Sequence, residues 1–143
     1  MVTRREKYRV GLSTLYLPYY DKLCEILPEE WQPYYGLRTF PEQDRLWAIG
    51  RELPGKKVTQ AKAGQSPHNY GCATDWITWE DGRPLWPKAS DPVWKVYEAA
   101  CLEAGLRWGG DFTTVDCPHN ELPIECRWSR VLIEYGLYGS QGA

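Results

Sequence analysis

The chain has 143 residues and two histidines, and each histidine lies near an aspartate in a loop that leads into a strand-like segment. His68 belongs to GQSPHNYGCATDW and precedes Asp75, while His119 belongs to VDCPHNE and follows Asp116. A catalytic zinc ion commonly takes three protein ligands from His, Asp and Glu and leaves one position for water. These residue types therefore indicate a zinc site made by His68, Asp75 and His119, with Asp116 as a general base towards the bound water.

The segment CATDWITW has the β-branched and aromatic composition of a strand, and this determines where its side chains point. Successive side chains alternate between the two faces of a strand. Asp75 therefore shares one face with Ala73, while Cys72, Thr74 and Trp76 share the other. If Asp75 binds a metal, Cys72 is packed away from it. The spacing alone leaves open the alternative that both histidines are structural.

The elements that must position these residues can be predicted from caps and periodicity. Helices are expected at LPYYDKLCEILP, at TFPEQDRLWAIG with Thr39 as its cap, and at DPVWKVYEAACLEAG with Asp91 as its cap. YYGLR is expected to be a strand, RWSRVLIEYGLYGSQGA a short amphipathic stretch, and residues 51–71 a long functional loop. Interspersed helices and short strands predict an α+β fold, with a small, mainly antiparallel sheet flanked by helices, in a single domain over residues 1–143.

Composition limits the classes of function. A net charge of −2 argues against a nucleic-acid partner, and no apolar run is long enough for stable membrane insertion. The chain shows no secretory signal, so we expect folding in a cytoplasm, with the five cysteines as reduced thiols. The basic segment TRREKYR is expected to be solvated. Eight tryptophans and ten tyrosines favour packing of the core over a sugar-stacking surface.

Five segments, in order, carry a specific resemblance. SPHNYGCATDW resembles the S-x-H-x-x-G-x-A-x-D signature of the zinc D-alanyl-D-alanine carboxypeptidase and L-alanyl-D-glutamate peptidase family, VanY-like enzymes with a Hedgehog-type fold. GLRTFPEQ, GRELPGKKVTQAKAGQS, GLRWGGDF and DCPHNE resemble the other motifs of that family. The resemblance extends from about residue 17 to residue 122 and includes no separate cell-wall-binding domain.

The resemblance implies roles for individual residues. It implies zinc ligands at His68, Asp75 and His119, and a catalytic base at Asp116. It also implies that Arg38 stabilises the oxyanion of the tetrahedral intermediate, a task that suits a permanently charged guanidinium. Further matched positions are expected near the substrate cleft (Ser66, Gln43 and Thr59) or in supporting roles (Glu121 and Asp111).

The chain departs from the family pattern at two positions beside the ligands. Asn120 replaces the usual aromatic residue after the third ligand, and Thr74 replaces the usual aliphatic residue before Asp75. Neither change removes a ligand. We expect Asn120 to alter the wall of the substrate cleft.

The expected function is that of a zinc peptidase acting on peptidoglycan stem peptides between L-Ala and D-Glu, as a monomeric bacteriophage endolysin. Such a protein would wait in the host bacterial cytoplasm before lysis and then act on the periplasmic cell wall. The first alternative is a D-alanyl-D-alanine carboxypeptidase that trims the same peptides. Two others are a cysteine hydrolase using Cys117 or Cys72, and a non-enzymatic binding module of the same fold.

Overall fold

The structure is a computed structural model that describes residues 1–123. This part of the chain contains four α-helices: α1 (Arg4–Arg9), α2 (Leu17–Ile26), α3 (Phe40–Ala48) and α4 (Trp94–Ala104). It contains five strands: β1 (Trp31–Tyr35), β2 (Ala73–Glu80), β3 (Arg83–Leu85), β4 (Arg107–Trp108) and β5 (His119–Glu121). Among the described residues, no helix has the length and apolar character needed to cross a bilayer.

All strand pairs of the sheet are antiparallel, and β2 lies at its centre. β1 lines one edge of β2, and β3 and β5 share the other edge. The order β1-β2-β5-β4 brings the amino-terminal half of β2 next to β5, with Asp75 opposite His119. The α+β fold with a small antiparallel sheet and flanking helices is therefore confirmed.

Most predicted elements are present, with shifted boundaries. Thr39 caps α3 as expected, since its hydroxyl accepts a hydrogen bond from the amide of Glu42. Asp91 accepts a bond from the Val93 amide, but α4 begins later, at Trp94, because the intervening turn uses i→i+3 bonds. The first strand was expected at YYGLR, yet it ends at Tyr35. The expected amphipathic stretch in the tail lies outside the described residues, as does Cys126.

The basic start is solvated only in part: Lys7 and Arg9 are exposed, but the segment TRREKYR folds into α1 and its arginines contact the rest of the protein. The guanidinium of Arg5 donates to four backbone carbonyls, those of Cys24, Leu27, Pro28 and Trp31. Arg4 contacts Pro33 O and the Trp79 ring, and Arg9 donates to both carboxylate oxygens of Asp21. The sequence did carry a signal for α1, the capping box formed by Thr3 and Glu6.

The core lies between the sheet and helices α2 and α4, and it is rich in tryptophan and tyrosine as expected. The rings of Trp31 and Tyr97 stack with centroids 5.3 Å apart, and Trp76 packs against Tyr20 at 5.7 Å. The four described cysteines are unpaired thiols. Cys72 is fully buried in the core, on the face of β2 predicted for it.

Candidate active site and metal centre

The three predicted ligands converge at the point where β2 meets β5. One donor atom from each of His68, Asp75 and His119 lies within 4.8 Å of the others. Asp75 Oδ1 lies 3.3 Å from His68 Nε2 and 3.1 Å from His119 Nδ1. Two ligands that bind zinc at about 2.0–2.1 Å with tetrahedral angles lie about 3.3 Å apart. The donor spacing around Asp75 therefore fits a zinc ion.

His68 is held by a short 3₁₀ turn, Pro67–Tyr70, that ends the long loop. The hydroxyl of Ser66 accepts a hydrogen bond from the His68 amide. Asn69 is fully buried, and its side-chain amide donates to the carbonyl of Arg38. Gly71 ends the turn in the left-handed conformation, φ 68°, where a Cβ would lie 2.7 Å from backbone atoms of the segment before α2. Asn69 was not identified from the sequence as a site residue, although it stands inside the matched motif.

A second turn places Asp116 beside the same centre. The amide of His119 donates to the carbonyl of Asp116 at 3.1 Å, and the amide of Asp116 donates to Gly109 O at 2.9 Å. A Cβ at position 109 would lie 2.2 Å from Asp116 O and 2.8 Å from His119 Cβ. Only glycine allows this approach. The first glycine of the GG in GLRWGGDF, Gly109, therefore allows the base and the third ligand to pack together.

Hydrogen bonds select the metal-binding nitrogen of each histidine. His68 Nδ1 lies 2.9 Å from the carbonyl of Gly36, which can only accept, so Nδ1 carries a proton and Nε2 faces Asp75. His119 Nε2 lies 2.8 Å from Glu121 Oε1 and donates to it, so Nδ1 is the nitrogen that faces Asp75. Such outer hydrogen bonds orient metal-binding histidines in known sites. Glu121 thus has the supporting role expected of it, and Asp111 lies exposed on a turn.

The charges of the three donors are coupled. Burial opposes ionisation of Asp75, yet the charges and hydrogen bonds of the two histidines hold its pKa well below the usual range. Burial also opposes a charge on His119, but hydrogen bonds to Asp75 and Glu121 outweigh it and raise its pKa to about 10. Burial lowers the pKa of His68. Without a metal, the Asp75 carboxylate is therefore balanced by a proton on His119, and a bound cation would take the place of that proton.

Asp116 has the titration behaviour of a general base. Its carboxyl lies at the solvent-accessible lip of the site, partly enclosed by protein atoms. This enclosure, together with the negative charge of Asp75, raises the pKa of Asp116 to about 6. A base with a pKa near the working pH is effective in proton transfer.

Arg38 is 6% exposed and lines the same cavity as Asp116. Its Nη2 is 3.8 Å from Asp75 Oδ2, and its guanidinium carbon lies 4.5 Å from the centre of the Tyr35 ring. Its Nη1 donates to Gln43 Oε1 at 3.0 Å. Arg38 Nε is buried without a hydrogen-bond partner among the described residues. Buried donors are seldom left unpaired, so this guanidinium has capacity for one more acceptor.

The three expected substrate contacts occupy different positions. Ser66 and Thr59 line the cavity at the site. Gln43 is fully buried behind Arg38, and its amide nitrogen lies 2.8 Å from Ala61 O and 3.5 Å from Thr59 Oγ1. The structure therefore places Gln43 where it orients Arg38, away from the cavity wall.

The expectation that Asn120 alters the cleft wall is wrong. Asn120 is fully buried, on the opposite side of β5 from His119. Its side chain bonds to Tyr16, Thr74 and Tyr97. Side chains of a strand alternate, so a residue next to a ligand must point into the core.

The structure also bears on cysteine catalysis. Both candidate thiols are buried, and burial raises the pKa of Cys72 to about 12 and that of Cys117 above its usual value. A nucleophilic cysteine needs a lowered pKa. These two thiols therefore have the properties of packing residues.

The donors, Asp116 and Arg38 open into one cavity of about 860 Å³. Its lining includes the basic residues Arg51 and Lys57, which belong to the long loop. The loop predicted to be functional therefore forms one wall of the site. A peptide could reach the donors, the base and Arg38 together.

Comparison with known proteins agrees with this geometry. Residues 59–122 match the profile of a family described as D-alanyl-D-alanine carboxypeptidase. Over 95 residues, the chain is 37% identical to the peptidoglycan L-alanyl-D-glutamate endopeptidase CwlK of Bacillus subtilis (strain 168). That alignment covers 61% of this chain and 57% of CwlK, so the chain spans little more than half of that relative.

The fold also matches a solved structure, the crystal structure of the Serratia marcescens L-Ala D-Glu endopeptidase ChiX. The TM-score is 0.64, over 87% of this chain and 90% of ChiX. At 21% identity, this likeness concerns the fold.

Proposed function

We propose that this chain belongs to the peptidase family described as D-alanyl-D-alanine carboxypeptidase, whose profile residues 59–122 match, and that it is a zinc peptidase of peptidoglycan stem peptides, cleaving between L-Ala and D-Glu. The observation that carries the proposal is the convergence of His68, Asp75 and His119, with fixed histidine tautomers, beside Asp116 and Arg38. The names of the two relatives, both L-alanyl-D-glutamate endopeptidases, support the choice of bond.

His68, Asp75 and His119 would hold the zinc ion, which supplies Lewis acidity and lowers the pKa of water. Asp116 accepts the proton of the attacking water and passes it to the leaving amine, because its raised pKa allows it both to take up and to release a proton near neutral pH. Arg38, which lines the same cavity, stabilises the negative oxygen that develops on the scissile carbonyl. Gln43 holds the guanidinium in place from behind.

The test is digestion of purified muropeptides, followed by mass spectrometry, with and without a metal chelator. We expect products with a new amino terminus on D-Glu, loss of activity on chelation, and recovery when Zn²⁺ is restored. Persistent cleavage by a protein shown by elemental analysis to be free of metal would refute the zinc mechanism. Zinc-loaded protein that hydrolyses nothing would favour the binding-module alternative.

A second candidate activity is D-alanyl-D-alanine carboxypeptidase, which the description of the matched family favours. The same digest separates the two activities. Loss of a single terminal alanine from a pentapeptide stem indicates the carboxypeptidase, whereas a freed D-Glu amino terminus indicates the endopeptidase.

We further propose that the protein acts as a monomeric bacteriophage endolysin, held in the host cytoplasm before lysis and then acting on the periplasmic wall. The unpaired thiols Cys24, Cys72, Cys101 and Cys117 support folding in a reducing compartment. The purified protein should clear a suspension of outer-membrane-permeabilised cells. Intact walls after prolonged exposure to active enzyme would contradict a lytic role.

A further inference from the structure

A second recess, of about 300 Å³, adjoins the proposed active site. It is lined by Asp75 and Asp116, which also line the larger cavity, and by Val58. Its other walls are apolar or aromatic: Tyr34, Tyr35, Ile77, Trp86 and Pro118. A group bound here would therefore lie directly beside the reacting bond.

The aromatic wall is exposed and braced. Trp86 follows β3 and is 57% exposed, although large apolar side chains are usually buried. Its ring packs edge-to-face on Tyr34 with centroids 4.6 Å apart, and Tyr34 packs on Tyr35 at 5.0 Å. Tyr34 also lies 6.2 Å from Trp79. Exposed aromatic residues supported in this way are typical of a binding surface.

The two adjoining cavities differ in the charge of their lining residues. The larger cavity contains the basic side chains of Arg51 and Lys57, whereas the recess contains no basic side chain among its lining residues. In a peptidoglycan stem, the D-Glu side of the bond carries free carboxylates, and the L-Ala side is joined to an uncharged N-acetylated sugar ring through a lactyl group. Charge complementarity therefore directs D-Glu towards Arg51 and Lys57, and the sugar towards the aromatic wall.

We propose that the aromatic recess formed by Tyr34, Tyr35 and Trp86 binds the N-acetylmuramoyl sugar that carries the stem peptide. This inference rests on the proposed function. The C–H face of a pyranose ring packs on an aromatic face, and the acetamido methyl group suits the apolar side chains of Val58 and Pro118. The enzyme thus recognises the point where the peptide joins the glycan, as well as the peptide itself.

The experiment compares two substrates that differ only in the sugar. One is N-acetylmuramoyl-L-Ala-γ-D-Glu-L-Lys, and the other is N-acetyl-L-Ala-γ-D-Glu-L-Lys. The wild-type protein should cleave the sugar-bearing substrate with the higher kcat/KM. Trp86→Ala should lower the ratio of the two kcat/KM values by about 3–10-fold, mainly through KM, and Trp86→Phe should restore part of it. Leu102→Ala, at a 79% exposed position of α4, is the matched control and should leave the ratio unchanged.

The possible outcomes separate this inference from the proposed function. If the wild-type protein cleaves neither of the two substrates and does not cleave natural muropeptides, the proposed function fails. If it cleaves both with equal efficiency, or if Trp86→Ala lowers both values equally, the sugar subsite is overturned while the peptidase activity stands. A ratio that falls in Trp86→Ala and not in Leu102→Ala supports the subsite.

Discussion

Thr74 and Asn120 face each other across β2 and β5, and Asn120 Nδ2 donates to both the hydroxyl and the carbonyl of Thr74, at 3.0 and 3.1 Å. Each is the chain neighbour of a proposed metal ligand, Asp75 or His119, and those ligands form the next pair in the same register. The two departures from the family pattern therefore contact each other. A buried polar pair replaces an apolar one directly behind the metal centre.

The Thr74–Asn120 pair should be needed for stability. Asn120→Leu removes one hydrogen bond from each of the buried hydroxyls of Tyr16 and Tyr97, which keep their bonds to Thr74 and Pro118, and each lost bond costs about 0.5–1.5 kcal/mol. The free energy of unfolding, measured by urea denaturation, should therefore fall by at least that amount. Leu102→Ala, far more exposed, serves as the control. Unchanged stability of Asn120→Leu would show that this network contributes nothing.

Glu121 should govern metal affinity through His119. Glu121→Gln weakens the acceptor that holds the proton on His119 Nε2, and loss of such a partner typically lowers metal affinity 10–100-fold. Competition with a chromogenic zinc chelator measures the effect. Arg107→Gln is the matched control, because Arg107 pairs with Glu121 from the surface at 3.6 Å and does not reach the histidine. Equal affinities of wild type and Glu121→Gln would contradict the role.

Arg38 should act mainly on turnover. Arg38→Lys keeps the charge but loses the planar set of donors, so we expect kcat to fall about 10²–10³-fold with a smaller change in KM. Gln43→Leu removes the acceptor that orients Arg38 and should lower kcat in the same direction, by less. A KM effect alone, with kcat intact, would assign Arg38 to ground-state binding instead.

Asp116→Asn should separate activity from stability. We expect kcat to fall about 10²–10⁴-fold, because the proton acceptor is lost. The pKa of Asp116 is raised to about 6 in the folded protein and is about 4 in an unfolded chain, so the unfolded state ionises first and stability falls as pH rises between these values. The side-chain amide introduced by Asp116→Asn does not ionise, so the variant does not lose stability in this way. The Tm of metal-free Asp116→Asn at pH 7 should therefore be equal to or higher than that of wild type, and a lower Tm would contradict the assignment.

The pH profile should show the ionised base. Activity requires the carboxylate form of Asp116, so kcat/KM should rise as pH increases through the pKa of this group. Since a bound cation next to Asp75 lowers that pKa, the midpoint of the acid limb should lie at or below about 6. Zinc content must be measured at each pH, because acid also protonates the histidines. A midpoint well above 6 with full zinc occupancy would exclude Asp116 as the base.

Residues that carry chemistry could be identified from sequence, because their types are rare and their motifs ordered. His68 lies at the end of a loop, Asp75 lies in a strand, and His119 lies at the start of another strand. The sequence motifs already indicated these three positions. The fold class followed from alternating helix and strand signals.

The roles of residues that depend on contacts with distant parts of the chain could not be predicted from the sequence. Asn120 was assigned to the cleft because it neighbours a ligand, whereas strand alternation turns it into the core. Gln43 lies in a motif but faces Arg38, and no local pattern tells which side of α3 meets that arginine. The role of α1 depends on carbonyls more than fifteen residues away along the chain.

Arg5 joins the end of α2 to the start of β1 by binding carbonyls of Cys24, Leu27, Pro28 and Trp31. This single side chain satisfies acceptors that the helix end would otherwise present to water. For protein engineering, the consequence is a rule on where to attach other sequences. Affinity tags or wall-targeting modules can be fused ahead of Thr3. Deletions that extend into α1 would remove the Arg5 hydrogen bonds between the end of α2 and the start of β1. These bonds help to keep β1, and with it Tyr34, Tyr35 and Arg38, in place beside the active site.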